Sequence, residues 1–253
     1  MFSETHSDSQ RADRILASIR REESCAGRGL LNIFFGMAPG VGKTCVMLEA
    51  AIQAADKGVQ VMIGVAESHG REDTMRLIGR LPRLPMKKVA YRGVEMEEFD
   101  LEEALRLKPQ LILVDELAHT NVPGMRHRKR YQDVEDLLAA GMDVYTTLNV
   151  QHLESRSDTV HDITAAPVQE TVPDSVLAEA DCIQLVDITP DQLRTRLREG
   201  KVYGAPQASA ALDHFFMESN LTALRELALR IIAEKGTHER TEVRTITRDH
   251  SIW

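Results

Sequence analysis

The run Gly36-Met37-Ala38-Pro39-Gly40-Val41-Gly42-Lys43-Thr44 constrains this chain more than any other stretch. It lies between the apolar segment Leu30–Phe35 and a helix-forming segment that begins near Val41. A buried strand that turns through glycines straight into a helix gathers backbone N–H groups and the positive end of the helix dipole at one point, which is how a chain cradles an anion. Gly40 and Gly42 shape that turn, Lys43 is placed to reach the β- and γ-phosphates of a nucleotide, and Thr44 to set its hydroxyl on Mg2+. The strict pattern G-x-x-x-x-G-K-[ST] asks for glycine at position 37, where this chain has Met37 and carries its glycine one residue earlier, at Gly36. The residues nearest the phosphates are all present, so a phosphate-binding loop is the reading preferred over an ordinary strand–turn–helix.

A phosphate loop needs an acidic partner, and Gln110–Val114 is an apolar strand that runs directly into Asp115-Glu116. Asp115 is expected to hold Mg2+ through water, and Glu116 to orient or deprotonate an attacking water. Adjacent Asp-Glu at a strand end points to the RecA/ASCE-like branch of P-loop NTPases. The fold class read from the sequence is therefore α/β, with a mostly parallel sheet in the strand order 5-1-4-3-2 and a C-terminal helical cap. In that order the strand Met142–Leu148, ending at Asn149, lies between the loop strand and the Asp115 strand. Thr146, Thr147 or Asn149 would then face the γ-phosphate as a sensor of ATP against ADP; the alternative is that Asn149 only caps the segment Gln151–Ser155.

Other segments fill in the βα alternation. Val41–Asp56 reads as a helix closed by Lys57-Gly58, Val59–Ala66 as a second buried strand, and Asp100–Leu107 as a short helix. Glu67-Ser68-His69-Gly70-Arg71 follows the second strand, where ligands collect in open α/β sheets; it is either functional or a helix start capped by Ser68. Met125-Arg126-His127-Arg128-Lys129-Arg130 is a basic run, read as a solvated surface or as an arginine contact to phosphate. Thr189-Pro190 starts a helix, and Pro206–Met217 and Asn220–Lys235 are two more. Residues 1–27 form a polar segment with a short helix at Arg11–Glu23, 28–188 a nucleotide-binding core, 189–236 helices packed on it, and 237–253 a tail or the stub of a further element.

Composition narrows the function class. A net charge of −8 argues against general nucleic-acid binding. No apolar stretch has membrane-spanning length, so the chain is expected to be cytoplasmic without membrane insertion. Cys25, Cys45 and Cys182 lack C-x-x-C spacing, and no histidine pair has the spacing of a zinc helix, so neither a disulfide framework nor a zinc site is indicated. Cys45, next to the loop threonine, reads as a small apolar filler beside the nucleotide.

Six motifs together resemble one family. Gly36–Thr44, Leu111–Asn121, Asp143–Ser155, Glu170–Asp174, Arg198–Tyr203 and Asn220–Arg230 look like the N-terminal cytoplasmic domain of KdpD-type potassium and turgor sensor histidine kinases, over about residues 28–232. The resemblance implies an ATP- and Mg2+-binding regulatory domain of a two-component system controlling potassium uptake, with slow hydrolysis at most. It carries Gly40, Gly42, Lys43, Thr44, Asp115 and Glu116 to the nucleotide site, and the family shares the early glycine, Gly36. Pro39, Val41, Cys45 and Asn149 complete the expected cofactor-binding set, with Thr44 and Asp115 on the metal and Lys43 and Glu116 as catalytic candidates. Expected partners are ATP or ADP and the remaining domains of a sensor kinase or a signalling protein, with a homodimer left open. The dimerisation and catalytic kinase domains of the family's full-length members are not in this sequence. The competing readings are a stand-alone P-loop ATPase, a nucleotide-dependent transferase of the corrinoid adenosyltransferase kind, and a scaffold whose loop binds nothing.

Overall fold

Runs of β-branched and large apolar residues alternate with amphipathic segments along this chain, and in space the runs line up as one twisted parallel sheet. The structure, a computed structural model, describes residues 27–202, 212, 214–236 and 242–247. The expected helix at Arg11–Glu23 lies outside them, as does most of Pro206–Met217.

The elements in chain order are β1 (Leu31–Gly36), α1 (Lys43–Asp56), β2 (Val61–Val65), α2 (Glu72–Ile78), β3 (Lys87–Tyr91), β4 (Val94–Glu98), α3 (Leu101–Leu107) and β5 (Leu111–Val114). Then come α4 (Arg130–Ala139), β6 (Asp143–Asn149), α5 (Ser157–Thr164), α6 (Asp174–Ala178), β7 (Cys182–Asp187), α7 (Pro190–Arg198), α8 (Glu218–Gly236) and β8 (Glu242–Thr247). Six strands form the main sheet in the order β2-β5-β6-β1-β7-β8, every neighbouring pair parallel. Strands β3 and β4 form a separate antiparallel hairpin.

The interior strands read as continuous apolar runs because both faces are covered, the normal state of a parallel sheet. Ile33, Phe34 and Phe35 of β1 and Ile112, Leu113 and Val114 of β5 are fully buried, and Met47, Leu48 and Ala51 of α1 join the same core. Helix α7 starts as its sequence suggests. Thr189 Oγ1 accepts from Gln192 N at 3.2 Å and Gln192 Oε1 accepts from Thr189 N at 2.9 Å, a reciprocal capping box with Pro190 in the first turn. Helix α8 packs on α5, α7 and β7 through Leu221, Leu224, Ala228 and Ile231. It is tied to the sheet by Arg225, whose Nε and Nη2 donate to the Asp187 carboxylate at 2.7 and 2.6 Å.

Two elements go beyond the sequence reading. Residues 242–247, within the stretch read as a tail or the stub of a further element, form β8 at the sheet edge beside β7. Their apolar residues are sparse because an edge strand draws its hydrogen bonds from one neighbour and its side chains stay largely exposed. Strand β4 was not anticipated either, since four of its five residues are exposed and carry no core pattern.

Candidate functional site

Strand register decides which residues can meet at the C-terminal edge of the sheet. Strand β6 lies between β1 and β5, with Gly36 opposite Asn149 and Val114 opposite Thr146. The glycine turn that leaves β1, the Asp115-Glu116 turn that leaves β5 and the end of β6 are thereby brought together around a cavity of about 480 Å3.

The turn at 36–44 shows why its glycines are spaced as they are. Gly40 has φ +86° and Gly42, the residue before α1, has φ +102°, conformations that side-chain-bearing residues rarely adopt. Gly36 solves a different problem: a Cβ there would lie 2.8 Å from Val41 Cγ2, so the chain folds back over it. Met37, where the strict pattern asks for glycine, is buried in the core and is not among the residues with positive φ. Helix α1 has neither a side-chain cap nor an acidic residue in its first turn. Its first N–H groups have no partner within the helix, and its dipole is left uncompensated for an external anion.

Lys43 is buried, and its Nζ donates to Ala38 O at 3.1 Å and to Asn149 Oδ1. Burial lowers its pKa to about 8, opposed by the Asp115 charge and reinforced by Arg71. Asn149 therefore spends its carbonyl on the lysine and makes no cap bond to the helical turn Val150–His152. Asp115, 1% exposed, accepts four donors: Thr44 Oγ1 at 3.0 Å and Glu67 N at 3.2 Å on one oxygen, Glu116 N at 3.1 Å and Thr147 Oγ1 on the other. Thr146 instead donates to Val114 O, within the sheet. Thr44 and Asp115 are the oxygen donors that could hold a divalent cation.

Glu116 has φ +57°, and so does not continue the strand; its N–H is held by both Asp115 Oδ1 and Thr147 Oγ1. A left-handed non-glycine residue costs on the order of 1–3 kcal/mol and persists where neighbours over-determine it. Its carboxylate pairs with His69 Nε2 at 3.6 Å. The pairing lowers the glutamate pKa and raises that of the imidazole. On the far wall His152 Nδ1 bonds Glu170 O at 2.7 Å, and burial pushes its pKa down, so it is a neutral donor to that carbonyl.

Of the residues expected from the sequence, Pro39, Gly40, Gly42, Lys43, Thr44, Asp115, Glu116 and Asn149 line the cavity. Gly36 and Val41 support the turn from beneath, and Cys45 faces away, with its Sγ 3.4 Å from Thr74 Oγ1. Ser68 does not cap α2. The residue before that helix is Arg71, without a side-chain cap, and Ser68 Oγ accepts from Gly70 N. In the basic run, Arg126 pairs with Glu102 and Asp136. Arg130 is buried, 3.5 Å from Glu98 and donating to Asp115 O at 3.0 Å, where it holds the acidic turn from behind. Thr147, one of the three polar residues expected at the end of β6, lines the cavity, as do His69 and Arg71 from the segment read as either functional or a helix start. Glu170 also lines it and was given no site role from the sequence.

Comparison with known proteins gives a consistent answer. Residues 27–235 match the family described as KdpD, osmosensitive K+ channel His kinase sensor domain. The chain is 49% identical over 241 residues to the sensor protein KdpD of Escherichia coli K12, covering 95% of this chain and 26% of that protein. It is 50% identical over 225 residues to the sensor protein KdpD of Clostridium acetobutylicum, covering 89% and 25%. With the putative sensor protein KdpD of Synechocystis the figures are 52% over 206 residues, 81% and 56%. The chain thus spans about a quarter of the length of the first two relatives. Among the described residues no helix is long and apolar enough to cross a membrane.

Proposed function

The chain belongs to the KdpD family of osmosensitive potassium-channel histidine-kinase sensor domains, and we propose that it binds ATP with Mg2+ through a P-loop NTPase site and uses that occupancy to bias the kinase and phosphatase output of a potassium- and turgor-sensing two-component system. One observation carries the reading: the glycine turn, the buried Lys43 and the Thr44–Asp115 pair converge on a single cavity at the C-terminal edge of a parallel sheet. The strand order, with β6 inserted between the loop strand and the acidic strand, supports it. The residues fit the group: a cationic Nζ out of water, left-handed glycines, an uncapped helix start without acids and a hydroxyl–carboxylate pair are what a metal-bound polyphosphate requires.

The backbone of Gly40–Thr44 and Lys43 would hold the phosphates, Thr44 and Asp115 would hold the ion, and Glu116 would orient a water. A bound Mg2+ would supply charge neutralisation at the phosphates. Asn149 turns Lys43 toward the site, and Thr147 fixes the Asp115 carboxylate. Glu116 paired with His69 is not aligned as a free base, which supports slow turnover rather than an efficient ATPase. The stand-alone transferase reading is not favoured, because the relatives that match are sensor proteins. Regulation requires different affinities for the nucleotide in two conformations. The segments that touch the cavity from outside the sheet, Glu67–Arg71 and Leu117–Arg130, are the parts proposed to move.

Calorimetric titration of Mg·ATP and Mg·ADP into wild type and Lys43→Ala tests the site. Binding by wild type and its loss in the variant is expected; equal heats from both proteins would remove the turn from the account. Glu116→Gln should keep binding while abolishing hydrolysis, and an unchanged rate of phosphate release would show that another group positions the water.

A further inference from the structure

The loop between β2 and α2 brings a second cation to the cavity, and nothing in the phosphate-loop reading requires it. Arg71 lines the same cavity as Lys43, Thr44, Asp115 and Glu116. Among the described residues no carboxylate pairs with its guanidinium, and its Nε, shielded from solvent, has no hydrogen-bond partner. A buried guanidinium N–H without a partner costs free energy unless something is delivered to it.

The acids of the cavity are already committed elsewhere. Asp115 accepts four donors, none of them from Arg71, Glu116 is held by His69, and Glu170 Oε1 accepts from Thr120 N at 2.7 Å.

The loop is not a loose excursion. Glu67 N donates to the Asp115 carboxylate at 3.2 Å, and Arg71 N donates to Ser68 O at 3.0 Å. His69 and Gly70 are both left-handed, at φ +48° and +73°, and make the tight turn that returns the chain to the cavity with Arg71 at its end. The loop is therefore anchored on the metal-side carboxylate and on Glu116, the residue that faces the scissile end of a nucleotide.

We infer that Arg71 contacts the terminal phosphoryl group of a nucleoside triphosphate, so that the β2–α2 loop distinguishes triphosphate from diphosphate. This rests on the nucleotide reading above. Lys43 and the N-terminus of α1 serve both nucleotides, whereas Arg71 gains its partner only when the extra phosphoryl is present. A planar guanidinium suits bidentate contact to phosphate oxygens, and an ammonium at that position would keep the charge while losing the fork.

The test is calorimetry on the whole chain with Mg·AMPPNP, a triphosphate analogue that is not hydrolysed, and with Mg·ADP. Wild type, Arg71→Ala and Arg71→Lys are compared, with circular dichroism confirming that each variant is folded. Arg71→Ala is expected to weaken AMPPNP binding tenfold or more and to leave ADP binding within about twofold; Arg71→Lys is expected to recover part of the loss. Equal weakening of both nucleotides, or of neither, would overturn the assignment while the nucleotide reading survives. Wild type that binds neither nucleotide would overturn both.

Discussion

Replacing Lys43 with methionine should make the protein more stable when no nucleotide is added. The side chain is 8% exposed, and its pKa is lowered from 10.5 to about 8 chiefly by burial. A shift of one unit is worth about 1.4 kcal/mol, so holding the charged ammonium in the cavity costs about 3 kcal/mol relative to the unfolded chain. The unfolded chain holds more protons between pH 8 and 10.5, so this deficit is fully present below pH 8 and fades as pH rises through that window. Methionine keeps the volume of the stem and removes the charge. It forfeits the bonds to Ala38 O and Asn149 Oδ1, each worth about 1 kcal/mol, although water in the cavity can replace the donor. The expected net gain at pH 7 is about 1–3 kcal/mol, or roughly 2–4 °C in Tm per kcal/mol for a chain of this size. Urea denaturation followed by circular dichroism at pH 7 and pH 10 measures it, and the gain should shrink at the higher pH. With Mg·ATP at about a hundred times its Kd the order should reverse, because wild type gains about 2.7 kcal/mol and the variant gains nothing. A variant less stable than wild type by more than about 1 kcal/mol at pH 7, or a difference that ignores pH, would refute the claim that the cavity stores an unfavourable charge.

The same depressed pKa predicts proton uptake. A bound polyphosphate returns Lys43 toward its ordinary range, so at pH 8 about half a proton should be taken up per nucleotide, and affinity should fall as pH climbs above about 8; titrations in buffers of different ionisation enthalpy would reveal it, and identical heats in all buffers would count against it. The His69 imidazole is held above its ordinary range by Glu116, so its contribution is present below pH 6.5 and lost as pH rises through its own, higher pKa. Its proton-detected titration midpoint should therefore drop in Glu116→Gln; an unmoved midpoint would mean that the pairing is absent in solution. Arg130→Ala leaves buried Glu98 with only His119 and Val122 N as partners and removes the support behind Asp115 O. Breaking such a buried pair should cost about 3–5 kcal/mol in denaturant stability, and a cost below about 1 kcal/mol would show that the cluster is well hydrated.

Local patterns in the chain settle a good deal. A strand, a glycine turn and a helix within some two dozen residues, an apolar run that ends in Asp115-Glu116, and the Thr189–Gln192 capping box are each written in neighbouring residues, where strand pattern and turn chemistry act over short distances. The phosphate-loop residues and the acidic pair were legible for that reason. What only the tertiary structure decided depends on register between distant strands. Asn149 reaches Lys43 because β6 lies beside β1, Thr147 rather than Thr146 reaches the Asp115 carboxylate because Val114 pairs with Thr146, and a shift of one residue would exchange their faces. The basic run looked like a solvated surface or a phosphate contact, yet its last arginine is buried behind the acidic turn, since Glu98, far away in sequence, supplies the charge that makes burial tolerable. Arg71 carries no periodic signal in its turn, and strand β8 little hydrophobic pattern. The one acquires its meaning from the cavity to which β2 delivers it, and the other from the hydrogen-bonding edge that β7 offers.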